Sequence, residues 1–133
     1  MLNGCIGGLV AITAEPLMPS PLAAILIGAV GGIIVVYGTK LLFSLKIDDV
    51  VGAIPAHLFA GIWGTLAVPI TNTDVALSAQ LIGGLSITIF VFVIAYIIWS
   101  VMKATIGIRL SKEGETKGTD VTETGVIAYA IRD

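Results

Sequence analysis

The stretch "IPAHLFAGIWGTLAVP", residues 54–69, sets the chain's single histidine, His57, among apolar and small side chains. Followed outward in both directions, the sequence meets no acidic or basic side chain from 50 to 73, a window of 24 residues. That clears the roughly 20 residues a helix needs to cross a bilayer. The polar "PITNT" at its end trims the expected span to about residues 50–70. With a helix starting near Val50, His57 would lie about 11 Å along it at the helical rise, too deep for its ring to reach the headgroups. An imidazole so placed costs free energy unless it faces a polar cavity or a partner.

Two further windows free of charged side chains flank this one: 16–39, with 24 residues, and 75–102, with 28. Strands of ten alternating residues are not seen, and inside a bilayer every backbone group must be satisfied within its own segment, so all three windows are expected to be helices. Their expected spans are about 20–42, 50–70 and 75–102, followed by a polar tail over 103–133 with one short structured turn at most. With 56% hydrophobic and 12% charged residues and a mean hydropathy of +1.04, the chain of 133 residues is too apolar for a soluble domain. The fold class expected is all-α integral membrane.

The opening "MLNGCIGGLVAITA" is charge-free, and it lacks the Lys or Arg that precedes the apolar run of a secretory signal. Fourteen residues make a helix about 21 Å long against a hydrocarbon core of about 30 Å. It is expected to be the end of a helix that begins outside this chain. Cys5, alone, leaves no intrachain disulfide and is expected to be a small buried residue.

Boundaries between the windows carry their own chemistry. "EPLMPSP" (15–21) has three prolines and Ser20, a cap for the next helix. Asp48 and Asp49 precede the second span, where a carboxylate can accept from free N–H groups and oppose the positive end of the helix. "TNTD" (71–74) is expected to cap the third span. All seven basic residues fall in two places: Lys40 and Lys46, then Lys103, Arg109, Lys112, Lys117 and Arg132 in the tail. Helix parity puts both places on one side, and the positive-inside rule makes that side cytoplasmic.

Small residues four apart, Gly4 with Gly8, Gly28 with Gly32 and Ala60 with Gly64, are expected to let helix backbones approach closely. Around His57, Pro55 removes a backbone donor, while Ala56, Ala60 and Gly61 leave room. That suits a helix lining a narrow path, where a neutral imidazole can hydrogen-bond a small polar permeant or relay a proton. The structural alternative is a histidine bonded to a neighbouring helix as packing glue. No second histidine or nearby carboxylate completes a metal site, and no cofactor is implied. Neither a nucleophile–base pair nor a phosphate loop points to an enzyme. A net charge of −2 without a basic block excludes nucleic acid as an expected partner.

"KIDDVVGAIPAHLFAGIWGTLAVPI" (46–70) resembles the signature of the Amt/Mep/Rh ammonium transporters, an acid pair leading into a helix with a histidine and then a Gly-rich run. "NGCIGGLVAITAEPLMPSP" (3–21) is similar to the family's small-residue helix ending in Ile-Thr, and "GIRLSKEGETKGTDVTETGVIAY" (107–129) to its acidic cytoplasmic tail. The resemblance implies the C-terminal portion of an eleven-helix inverted-repeat fold, with a partial helix and three complete ones here. It implies ammonium or ammonia as permeant, a homotrimer when complete in contact with membrane lipid, a bacterial inner membrane location and a PII-type signalling partner at the tail. By the same resemblance, His57 matches the second of twin pore histidines, and Thr13 a threonine near the inner part of the conduction path. Ile6 and Ala53 match pore-lining positions, and Asp48 and Asp49 the structural acids leading the helix. The sequence departs at Leu58, where many members have Gly, at Gly52, where some have Asp, and at Thr124 and Val126, where many have His and Glu. Alone the chain is expected not to conduct. The alternative is a short membrane-embedded interaction or regulatory protein that assembles with full-length subunits or a PII-type partner.

Overall fold

The computed structural model describes residues 2–17 and 20–128. Met18 and Pro19 of the 15–21 turn, and Tyr129 and Arg132 of the tail, lie outside the described residues. Packing divides the chain into two units, Met1–Ile89 and Phe90–Asp133. Among the described residues every regular element is helical.

In the first unit, α1 (Leu2–Ile12) is followed by α2 (Pro21–Ser44). Ser20 caps α2: its backbone is extended and its Oγ accepts the Ala23 N–H at 3.4 Å. Pro21 takes the first helical position, where a missing N–H leaves nothing unsatisfied. The other end of α2 closes through two reversed bonds, Lys46 N–H to the Phe43 carbonyl and Ile47 N–H to the Leu42 carbonyl. This closure needs a left-handed residue, and the chain supplies Lys46 with φ 57° where glycine is the usual solution.

Residues 46–53 then turn the chain back into a six-residue π-helical turn, Ile54–Phe59, which runs on into α3 (Ala60–Thr71). A further helix, α4 (Leu77–Thr105), contains the boundary between the units. Helices long and apolar enough to cross a membrane are therefore Pro21–Ser44, Ile54–Thr71 and Leu77–Thr105. The middle one starts about four residues later than Val50. The "TNTD" side chains do not cap α4: Asn72 Oδ1 accepts from the Asp74 N–H within the turn, and α4 begins only at Leu77.

α1 runs antiparallel to α2 along a seam of glycines. Gly4 lies against Gly32, and Gly8 against Gly28, so the two pairs read from spacing face each other. Gly7 and Gly31 close the seam between them; a Cβ on Gly31 would stand 2.7 Å from the Ala11 Cβ and 2.8 Å from the Gly7 carbonyl oxygen. α3 enters from the side, with Gly64 on the backbone of Ala11. Two small cores result, Ala11 with Ile27 and Ala67, and Val35 with Ala56 and Ala60. The Trp63 indole N–H donates to the Ile27 carbonyl at 3.0 Å, tying α3 to the middle of α2. Cys5 is exposed, contrary to expectation, because the seam takes the Gly4–Gly7–Gly8–Ala11 face of α1 and leaves Cys5 outside it.

The second unit is more ordered beyond the span than its composition suggests. Ser111 caps a short helix, α5 (Lys112–Lys117), by accepting the Gly114 N–H at 3.1 Å. A second π-helical turn follows at Asp120–Thr124 and packs on α5. Ion pairs join Arg109 to Glu115 at 2.8 Å and Lys117 to Glu113 at 2.6 Å. The Ala128 N–H, reaching back to the Asp120 carboxylate at 2.8 Å, is the main cause holding that carboxyl below its usual pKa, with the Val121 N–H adding to it. Two turns and a returning strand of backbone thus replace the single turn expected. Gly118 and Gly125, at φ 96° and 68°, permit the reversals between them.

Candidate functional site

The π-helical turn is built around a missing donor. A helix begins with four N–H groups that have no partner inside it. Here Asp49 takes two of them: its Oδ1 accepts from Ala53 and its Oδ2 from Ile54, both at 2.8 Å. Pro55 has no N–H, and the Ala56 N–H bonds the Gly52 carbonyl at 3.1 Å. Every early donor is accounted for. One turn later the Ala60 N–H reaches the Pro55 carbonyl, five residues back, which is the wide hydrogen bond of a π-helix. Such turns cluster where a side chain has to be re-aimed at a functional site. The side chain in the middle of this one is His57.

Although the helix starts late, the turn is not at the end of the bundle. Pro55 and Phe59 pack on Gly38, where an added Cβ would stand 3.0 Å and 2.7 Å from them. Six residues of α2 continue past Gly38 to Ser44, about 9 Å at the helical rise. Side-by-side packing, not position along its own helix, therefore places His57 alongside the body of α2.

His57 itself is exposed, and among the described residues the side-chain bonds between segments far apart in the chain come from Asn3 and Trp63, not from it. It opens on a groove of about 630 Å³ between α3 and α4, lined mainly by apolar carbons, with Thr65, Gln80 and Thr88 as the other polar side chains. Gln80, Gly84 and Thr88 recur every four residues and so form one stripe of α4. That stripe is readable from its spacing of four in a helix whose mean composition is apolar.

The other expected site residues do not join His57 in the groove. Ile6 lies on the uncovered stripe of α1 with Leu2 and Leu9, and Thr13, exposed just past the end of that helix, donates its hydroxyl to the Val10 carbonyl at 2.7 Å. Ala53 is exposed beside the Asp49 bonds, and Asp48 is exposed next to it. Thr13 also lies at the end of α1 near Ser20 and Glu15, away from the Lys46 loop. A cytoplasmic Lys46 loop and an inner position for Thr13 therefore exclude one another. Among the described residues no cluster of His, Cys, Asp and Glu is suited to a metal ion.

The sequence that builds this turn and bundle matches the model of the Ammonium Transporter Family over residues 1–129. The chain belongs to the ammonium transporter family. It is similar to a Synechocystis protein provisionally named an ammonium transporter, at 46% identity over 126 residues, 93% of this chain and 28% of that one. It is similar also to the ammonium transporter Amt2 of Archaeoglobus fulgidus, at 34% identity, covering 96% of this chain and 31% of the relative. With an ammonium transporter of Bacillus subtilis the identity is 31% over 96% of this chain and 36% of the relative. This family member thus spans about three tenths of the length of the curated relatives it matches. With its three long apolar helices, it is an all-α integral membrane protein.

Proposed function

We propose that the chain forms the C-terminal portion of an ammonium transporter and contributes one wall of its pore. The observation that carries this reading is His57, aimed by a π-helical turn into an apolar groove that the chain leaves open. Ammonia, uncharged, can cross an apolar passage and exchange a hydrogen bond with a neutral imidazole, whereas a hydrated alkali ion would have to shed water that the passage does not replace. Ile6, Thr13 and Ala53 line the same passage once further helices cover them. Asp48 and Asp49 are structural, Asp49 by holding the first N–H groups of the turn.

The rest of the arrangement follows from the family resemblance and the distribution of charge. The complete transporter has eleven helices in an inverted repeat, forms homotrimers in contact with lipid, and pairs His57 with a second histidine on another helix. The basic Lys46 loop and the tail face the cytoplasm of a bacterial cell, which moves Thr13 to the outer side of His57. A folded tail with α5 and two ion pairs favours a second role, presenting a surface to a PII-type signalling protein.

Vesicles holding only these 133 residues are expected to take up no methylammonium. In a transporter completed with the helices the relatives possess, His57→Ala is expected to alter conduction or selectivity with expression and trimer formation intact. Loss of assembly, with selectivity unchanged in the trimers that remain, would sink the pore role in favour of packing.

A further inference from the structure

Pro55 stands in the first turn of its helix, where an N–H has no partner inside the helix, so it breaks no bond there. Gly52, at φ 70°, keeps Val51 outside the helix, so no amide of that first turn is aimed at the Val51 carbonyl. The next amide, Ala56, is already committed to the Gly52 carbonyl. The Val51 carbonyl instead accepts from the side chain of Asn3, 48 residues away on α1, at 2.8 Å. A carboxamide suits this task, because its NH₂ group is a pure donor on a short stem.

Gly52 makes the bond possible in two ways. Its φ of 70° is a left-handed conformation that bends the chain into the turn, and a Cβ there would collide with the Asn3 amide nitrogen. Asn3 sits one turn before Gly7, on the face of α1 that is locked into the glycine seam. The carboxamide therefore reaches the turn from a backbone that has little freedom to move.

We propose that Asn3 is the positioning residue of the His57 turn: its carboxamide ties the Val51 carbonyl, just ahead of the helix, to α1 and so fixes where the imidazole points. This rests on His57 acting in the pore. Asn3 itself touches no permeant.

Asn3→Asp keeps the shape but turns an acceptor towards an acceptor, whereas Asn3→Ala only removes the donor. In the complete transporter, Asn3→Asp is expected to lower methylammonium conduction by roughly threefold to tenfold, the effect of losing one hydrogen bond. It should also shift the ratio of methylammonium to potassium passage in the direction His57→Ala does. Asn3→Ala should do less. In the 133-residue chain itself, the infrared stretch of a ¹³C-labelled Val51 carbonyl should rise in frequency on Asn3→Ala.

An unmoved Val51 band overturns the proposal, and so does a larger loss for Ala than for Asp, the order expected from packing alone. Should Asn3→Asp not accumulate in the membrane, the Val51 band of Asn3→Ala decides: a rise in frequency supports the proposal and an unmoved band overturns it. His57→Ala separates the two levels. If it leaves conduction and selectivity unchanged, the pore reading falls by itself; if it changes them while both Asn3 variants behave as the parent, only the Asn3 assignment falls.

Discussion

The seam between α1 and α2 and the groove between α3 and α4 are made of similar residues, glycines among aliphatic side chains, and they end in opposite states. In the seam the helices approach so closely that a Cβ added at Gly7 or Gly31 would collide with the opposite helix. Along the groove, the same kind of composition encloses about 630 Å³, and α4 has no buried residue at all. In lipid the difference cannot come from hydrophobicity, since chain and solvent are equally apolar. It comes from shape. Glycines four apart on two antiparallel helices meet as flat strips and gain dispersion along their whole length. On α4, Gly83 meets nothing within reach and Gly84 only the Thr65 methyl, so the surface stays open for a further occupant.

The contrast can be broken most severely at Gly64, whose Cβ would collide with the carbonyl of Ala11. Neither partner is a flexible side-chain end, so Gly64→Ala is expected to destabilise the bundle by about 3 kcal/mol, read as a lower Tm in detergent. A stable Gly64→Ala protein would mean that the packing of α3 on the α1–α2 seam is not rigid. A smaller effect tests the polar tie between α3 and α2. Trp63→Phe keeps the ring and removes the donor to Ile27, and should cost about 1 kcal/mol. Smallest of all, Leu85→Ala on the groove face should change the stability of this chain by less than about 0.5 kcal/mol, as at an unpacked surface position. A loss of about 2 kcal/mol or more there would show α4 packed as a core helix is, and the comparison would collapse.

Much of the packed half was legible. Gly4, Gly8, Gly28, Gly32, Ala60 and Gly64 stood out by spacing, and each lies at a helix contact or in a core. Gly7 and Gly31 were not singled out, because their closeness depends on the register between two helices, which neither helix carries by itself. Asp49 was legible as a carboxylate ahead of a helix, although the helix it leads starts at Ile54. The tail was underestimated because its order rests on side chains returning to backbone, Ser111 to Gly114 and Asp120 to Ala128, rather than on apolar burial.

By itself the sequence determined what local chemistry can decide. Charge-free windows make spanning helices, Ser20 and Pro21 begin one of them, and Pro55 leaves a helix short of a donor beside the only histidine. Tertiary structure alone decided the remainder: that the helix around His57 opens as a π-turn, that Gly38 sets its level against α2, and that Asn3 bonds the Val51 carbonyl ahead of that helix. The physical reason is range. A carbonyl left outside a helix is a local property, but the group that bonds it is chosen by how two distant segments pack, 48 residues apart in the chain and 2.8 Å apart in space.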